Sequence, residues 1–508
     1  MVTGKSQQYA IGIDLGTGSC KTTLLNPNGK ILGHGAAKYP SVNAKSQWQE
    51  QHPESLLYGV INSVRDVLST SGVNPADCLG LTIGGALHSL TALDGNDVPL
   101  LGVLTWADSR AAKQADELKN SPKAHENYLR TGCPAHPLYP FSKIIWLRET
   151  HPELFRKAAY FISAKEYINF RLTGKRTVDY CIAAASGLLD VHRLQWDEEI
   201  LKIAGISADQ LFSLSDPRDE IGQLLLDMAA QMGLLAGTKV YQGSSDAVNS
   251  SIGSGTIFPY QITCMVGTSG AIRGISNHPV LDEQERTWCY AIDKTHYIIG
   301  GAINNGGLAV NWFKDALSVG LPEGQKGPTF DQILEWANQI EAGSEGVLCL
   351  PFFTSERSPY WNSKARGVYY GLQLAHDQRH MSRALLEGIA FRLRSVLDAL
   401  DDIQPNISEI RVSGGFVQSP VWLQLTADIL NRTLSIPGDK ETSGVAAALW
   451  VYLANGAIKS IEDLASMVPI VSKVEPNSKN KAVYDRQYSI YKALYQSMKP
   501  IFELSSNS

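Results

Sequence analysis

Residues Tyr9 to Asp14 form an apolar run closed by a carboxylate, followed by the small residues Gly16 to Ser19 and a second apolar-rich segment, Lys21 to Leu25. The pattern predicts a buried strand, a tight turn and a returning strand, and Asn26-Pro27-Asn28-Gly29 predicts a further turn into a third strand, Lys30 to Ala37. From His52 to Ser69 the period changes: Leu56, Val60, Val64 and Leu68 recur on one stripe of an amphipathic helix. Cys78 to Ile83 is then a short apolar strand ending at Gly84-Gly85, and Lys239 to Gln242 is another. An antiparallel meander, a crossover helix and a further strand imply a mixed α/β sheet.

The same order recurs after residue 253. Gln261 to Val266 reads as a strand, Gly267 to Gly270 as a turn and Ala271 to Ile275 as the return, with further strand material in Trp288 to Gly300 and a helix over Gly307 to Leu317. Later, Leu385, Ile389, Leu393 and Leu397 mark a long helix from Ser382 to Asp401, and Ile410 to Val412 is a strand running into Ser413-Gly414-Gly415-Phe416. Two similar halves, 1–252 and 253–508, suggest a duplicated fold with a cleft between its domains. There is no short-period repeat, which excludes a solenoid.

Composition narrows the class. At 508 residues, with 44% hydrophobic and 19% charged, the chain is globular and too long for one core. A net charge of −5 without a Lys/Arg block argues against nucleic acid as a partner. Seven scattered cysteines without a CxxC pair fit reduced thiols, and no segment reaches the length of a membrane span. A cytoplasmic protein with no membrane partner is the expectation.

Three glycine turns could carry chemistry. Asp14-Leu15-Gly16-Thr17-Gly18-Ser19 couples a carboxylate to backbone N–H groups and hydroxyls able to face a polyphosphate, without the GxxxxGK[ST] of a P-loop. Gly267-Thr268-Ser269-Gly270 is a second such hairpin; each can equally be an ordinary glycine turn. Ser413 to Phe416, followed by the cap Ser419 and Pro420 of a helix over Val421 to Asn431, could receive a flat ring or only pack strand to helix. Near mid-chain, Gly243-Ser244-Ser245-Asp246-Ala247 places a carboxylate on a small-residue turn, where it could take a proton from a hydroxyl or simply cap a helix.

These segments, with Gly84 to Ser89, Thr105 to Arg110 and Pro351 to Gly367, resemble in order and spacing the FGGY carbohydrate kinases over nearly the whole chain. The resemblance implies two actin-like (ribonuclease H-like) ATPase domains with a catalytic cleft, and ATP and Mg²⁺ as cofactors. By position, Asp246 matches the family's catalytic base, Asp14 its metal-associated aspartate, and Thr17, Gly18, Ser19 and Lys21 the first phosphate loop. Gly267 and Thr268 match the second loop, Gly307 and Asn311 positions near the nucleotide, Gly415 and Phe416 the adenosine turn. Leu87 and His88 fall on substrate positions. Ala247, Leu138 and Pro420 depart from the glycerol kinases, which argues against glycerol.

Thr131 to Leu147, Lys165 to Ile168 and Asp179 to Leu188 resemble the gluconokinase subgroup. That likeness implies phosphorylation of D-gluconate at its 6-hydroxyl, with His88 and His136 near the carboxylate. Lys143 and Arg110 are further cations in this region, with structural roles as equal alternatives. D-xylulose is the alternative acceptor within the family; an actin-like ATPase without a sugar substrate, or a non-catalytic sugar-binding protein, are the alternatives outside it. A homodimer is compatible with the resemblance.

Overall fold

The computed structural model of the chain describes residues 8–42, 48–320, 326–354, 356–438 and 442–505. Its first sheet is built from β1 (Tyr9–Leu15), β2 (Ser19–Leu25), β3 (Ile31–Lys38), β4 (Cys78–Gly85), β5 (Glu220–Gln223) and β6 (Lys239–Tyr241). The spatial order is β5-β6-β4-β1-β2-β3, with β1 antiparallel to β2 and parallel to β4. The second sheet comprises β7 (Gln261–Val266), β8 (Gly270–Ser276), β9 (Trp288–Ala291), β10 (Tyr297–Ile303), β11 (Glu409–Ser413), β12 (Leu434–Pro437) and β13 (Ile470–Val474). Its order is β9-β10-β8-β7-β11-β12-β13. In both sheets an antiparallel three-strand meander continues through its first strand into two parallel strands: β3-β2-β1-β4-β6 in the first, β10-β8-β7-β11-β12 in the second. The duplication read from the hydrophobic pattern is thus a repeated topology, and the strand material read over Trp288 to Gly300 forms the pair β9 and β10.

Nine helices matter here: α1 (Pro53–Ser71), α2 (Pro140–Thr150), α3 (Ala164–Thr173), α4 (Asp246–Gly253), α5 (Gly307–Ala316), α6 (Gln378–Ile403), α7 (Pro420–Leu430), α8 (Thr442–Ala454) and α9 (Lys481–Ser505). Local chemistry sets their ends. Pro53 opens α1, whose extended cap is His52, and Gly72 closes it at φ 70°, a left-handed conformation that glycine adopts without cost. Asp377 caps α6 by accepting from the Arg379 N–H, so the helix begins at Gln378, four residues before the expected start at Ser382. The stripe Leu385, Ile389, Leu393 and Leu397 is buried in the second core, against α7 and α9 among others.

The first core does not follow chain order. Helix α8, late in the chain, lies against β1 and α4 of the first sheet, and Ala446 to Leu453 belong to that sheet's core. Gly12 permits the crossing: a Cβ there would stand 2.1 Å from the Gly444 carbonyl oxygen and 2.3 Å from the Ala448 nitrogen. Polar contacts fix the register of this packing, with Trp450 Nε1 donating to Asn249 Oδ1 at 2.8 Å and Tyr452 Oη to the Leu25 carbonyl at 2.6 Å. Residues 253 onward therefore build the second sheet but also complete the first core. Among the described residues no helix is long and apolar enough to cross a membrane.

Candidate active site

The β1–β2 hairpin is closed by a Gly16 N–H to Ser19 carbonyl bond of 3.1 Å, and Tyr39 Oη and Gln51 Nε2 donate to the carbonyls of Gly16 and Thr17. Trp106 Nε1 donates to Thr17 Oγ1 at 3.1 Å, leaving the hydroxyl proton to donate elsewhere. Asp14 lies one residue from the end of β1, opposite Lys21 in β2 and Gly84 in β4. In the second half, the carbonyl of Gly267 accepts from the Gly307 N–H at 2.7 Å, and that of Thr268 from Gly306 and Leu308 at 3.1 Å each. The hairpin is therefore bolted to the start of α5, and the Gly307 amide is consumed by this contact. Asn311 is exposed one turn further on.

The glycines of these turns fall into two kinds. A Cβ on Gly18 or Gly415 would meet nothing within 4 Å, and one on Gly267 only Met265 Sδ at 3.8 Å, so these positions border open space. Gly414 has φ 91° and a Cβ there would lie 2.4 Å from the Val266 carbonyl oxygen, a packing requirement. The Phe416 ring is buried and meets Trp422 edge-on at 6.1 Å, so only its backbone is left to line an adenosine turn.

Asp246 is the first residue of α4. Gly243, at φ 62°, turns the chain out of β6, and Ser245 caps the helix by accepting from Val248. A parallel bridge between Gly85 and Ser245 brings the end of β4 beside this turn, so that the Leu87 and Ala247 N–H groups both bond the Asp246 carboxylate. Lys165 on α3 supports it from beneath: its Nζ pairs with Asp179 at 2.6 Å and donates to the Ser244 carbonyl at 3.1 Å, with both side chains fully buried. Burial raises the Asp246 pKa above the ordinary aspartate value, partly opposed by Arg273 on β8. A half-buried carboxylate with a raised pKa, held by backbone donors on a rigid turn, is fit to accept a proton near neutral pH.

Two histidines of the first half differ in character. His88, at φ 64°, directs Nδ1 to the Ala185 carbonyl at 2.9 Å, and burial lowers its pKa to about 3. The ring is neutral with its proton on Nδ1, so Nε2 is an acceptor. His136 accepts from the Leu138 N–H on Nδ1 at 3.2 Å, which assigns the proton to Nε2, a buried donor without a partner among the described residues. Burial and the neighbouring Arg357 hold it well below the usual histidine range. The two cations weighed from the sequence are structural: Lys143 donates to the carbonyls of His88 and Thr105 at 2.8 and 2.7 Å, and Arg110 pairs with Asp108 and Glu50 at 2.7 and 2.6 Å.

Sequence reasoning left Arg273, Arg357 and the aromatic wall of Tyr139, Tyr290 and Trp361 without a role. The phenols of Tyr139 and Tyr290 bond at 2.9 Å, and Trp361 meets His136 edge-on at 5.6 Å. Arg273 had a visible signal, a charge within the otherwise buried strand β8. Arg357 sat inside a motif already singled out, but only tertiary structure places it beside His136.

Two repeated meander sheets, with glycine turns from both halves and a carboxylate where the halves meet, define a two-domain ATPase of the actin-like type. Residues 9–253 match the FGGY family of carbohydrate kinases, N-terminal domain, and residues 262–453 its C-terminal domain. The chain belongs to the FGGY family of carbohydrate kinases: it is a sugar kinase, with ATP as phosphoryl donor. A gluconokinase of Bacillus subtilis (strain 168) is 35% identical over 465 residues, covering 91% of this chain and 90% of that protein. A xylulose kinase of the same organism is 30% identical over 502 residues, covering 97% and 98%. Among solved structures, the gluconate kinase from Lactobacillus acidophilus aligns with a TM-score of 0.91 at 32% identity, over 97% of this chain and 98% of that one. The xylulose kinase of Lactobacillus acidophilus aligns at 0.90, with the same identity and coverage.

Proposed function

We propose that the chain transfers the γ-phosphoryl group of ATP to the 6-hydroxyl of D-gluconate. The observation that carries this reading is the charge at the acceptor end. Asp246 is faced there by the Arg273 guanidinium, and beside Arg273 stands a second guanidinium, Arg357, next to the unpartnered N–H of His136. A neutral sugar would leave buried donors unpaired, whereas a sugar acid supplies the missing negative charge. The gluconokinase relatives support the same acceptor.

In this reading Asp246 accepts the proton of the attacking hydroxyl while the neutral His88 Nε2 accepts from another hydroxyl of the sugar and fixes its orientation, beside Leu87. Thr17, Gly18, Ser19 and Lys21 in one half, and Gly267, Thr268, Gly307 and Asn311 in the other, flank the phosphates, and Gly415 with the Phe416 backbone borders the adenosine. The open space beside Gly18, Gly267 and Gly415 fits a nucleotide spanning both halves. Asp14 would hold Mg²⁺, which neutralises phosphate charge when bound. Contacts between the halves close the acceptor end against water: Lys119 Nζ donates to the Trp361 carbonyl at 2.8 Å, and the Cys289 N–H to the Gly132 carbonyl at 3.0 Å. With water kept out, alignment and charge stabilisation supply most of the rate.

The test is coupled ADP release over gluconate, xylulose, ribulose and glycerol. Gluconate should exceed xylulose in kcat/KM by more than about tenfold, because a site built for a charge rejects an analogue that leaves its donors unpaired. A preference for xylulose refutes the acceptor and leaves the kinase assignment standing.

A further inference from the structure

We infer that the acceptor's carboxylate is read from the second half of the chain, by Arg273 with Arg357 beside it, and that His136 completes this subsite while His88 does not take part. The inference rests on the sugar-acid reading above and names the groups that carry it out.

Arg273 stands in β8 between Thr263 of β7 and Gly300 of β10. A Cβ at residue 300 would come within 3.3 Å of Arg273 Cγ, so the glycine leaves the side chain its place on the sheet. Its Nε and Nη1 are buried and have no hydrogen-bond partner among the described residues. Arg357 is brought alongside because Gly301 lets the following turn approach, a Cβ there lying 2.7 Å from Ser358 Cβ. Arg357 Nη2 donates to the Ile303 carbonyl at 3.2 Å and its guanidinium lies 5.0 Å from the centre of the Trp106 ring, yet its Nε is also buried without a partner.

The charges of the neighbourhood do not balance without a further anion. Glu356 pairs with Arg392, both about 1% exposed, and also faces Arg357. Asp108 and Glu50 serve Arg110, Lys143 is spent on two carbonyls, and Asp179 serves Lys165. Asp246 faces Arg273, Glu356 is shared between Arg392 and Arg357, and Arg273 and Arg357 repel one another, so three guanidinium groups stand against two carboxylates. Buried like charges with unused donors are costly unless an anion joins them, and a planar carboxylate matches the guanidinium fork. His136 offers Nε2–H to the same anion. His88 presents a lone pair, which repels a carboxylate and suits a hydroxyl; the expectation that both histidines would serve the carboxylate is thereby narrowed to one.

Arg273→Gln and Arg273→Lys should be measured with gluconate and xylulose as acceptors, together with calorimetric binding of gluconate without nucleotide. Arg273→Gln should lower the gluconate-to-xylulose ratio of kcat/KM by about 10²-fold or more and abolish measurable gluconate binding, with Arg273→Lys between it and the parent. A wild-type preference for xylulose would overturn the acceptor itself. If wild type prefers gluconate but Arg273→Gln keeps the ratio, the assignment alone is overturned. So it is if both acceptors lose kcat equally and the acid limb shifts, which makes Arg273 a partner of Asp246 only, or if only the KM for ATP rises, which makes it a phosphate ligand.

Discussion

Asp246→Asn isolates the proton acceptor with little other disturbance. The Ala247 N–H bond of 2.7 Å and the Leu87 N–H bond both fall on a carboxylate that asparagine can imitate through its single carbonyl oxygen. What is lost is basicity. A general base contributes about 10²–10⁴-fold, or about 2.7–5.4 kcal/mol of barrier at 1.36 kcal/mol per decade. Stability should change little: losing a negative charge at the start of α4 costs about 0.3–1 kcal/mol, and removing a buried carboxylate offsets it. The sign of the pH dependence supports this. Because the folded pKa is raised, the native state holds its proton more readily than the unfolded chain, and stability contributed by this group falls as pH rises from the ordinary aspartate range through the raised value. Initial rates of ADP release between pH 5 and about 8, with thermal unfolding as control, should show the wild type losing activity as pH falls through the Asp246 pKa. The variant should retain its melting temperature within a few degrees and lose both rate and that acid limb. A folded variant within about tenfold of wild-type turnover, or one keeping the wild-type acid limb, would refute Asp246 as the base.

Gly267→Val should raise the KM for ATP or lower kcat without unfolding the protein, because its Cβ enters open space beside Met265 Sδ at 3.8 Å; unchanged ATP kinetics would remove that hairpin from the nucleotide site. Lys165→Met leaves Asp179 as an unpaired buried carboxylate and should cost about 3–5 kcal/mol in urea denaturation, with activity falling as the Ser244–Ser245 turn loosens. Trp450→Phe strands Asn249 Oδ1 and leaves a void between α8 and α4, a loss of about 2–4 kcal/mol; a loss under about 0.5 kcal/mol would contradict the packing of α8 as a member of the first core.

The strand β1, the two glycine hairpins and the long helix α6 were legible because each is specified locally: an apolar period, a turn residue or a cap decides it within a few positions. Asp246 was legible for the same reason, on a small-residue turn after a strand. Local pattern also misleads at the edges of such signals. Phe416 matches the adenosine turn by position, yet the fold turns its ring onto Trp422 and leaves only its backbone at that turn. Lys143 and Arg110 left a ligand role and a structural role open, and the fold decides for the structural one: the carbonyls of His88 and Thr105 take up Lys143, and Asp108 and Glu50 take up Arg110. No local pattern announced that α8 would cross from the end of the chain to β1, since that contact depends on Gly12 and Gly444 meeting across more than four hundred residues. The sequence by itself determined the duplicated meander, the turns and the carboxylate at mid-chain. Which charges remain unspent was settled by the assembled site, because burial and pairing exist only there: Arg273 faces Asp246, Arg357 stands beside Arg273, and both keep donors left over.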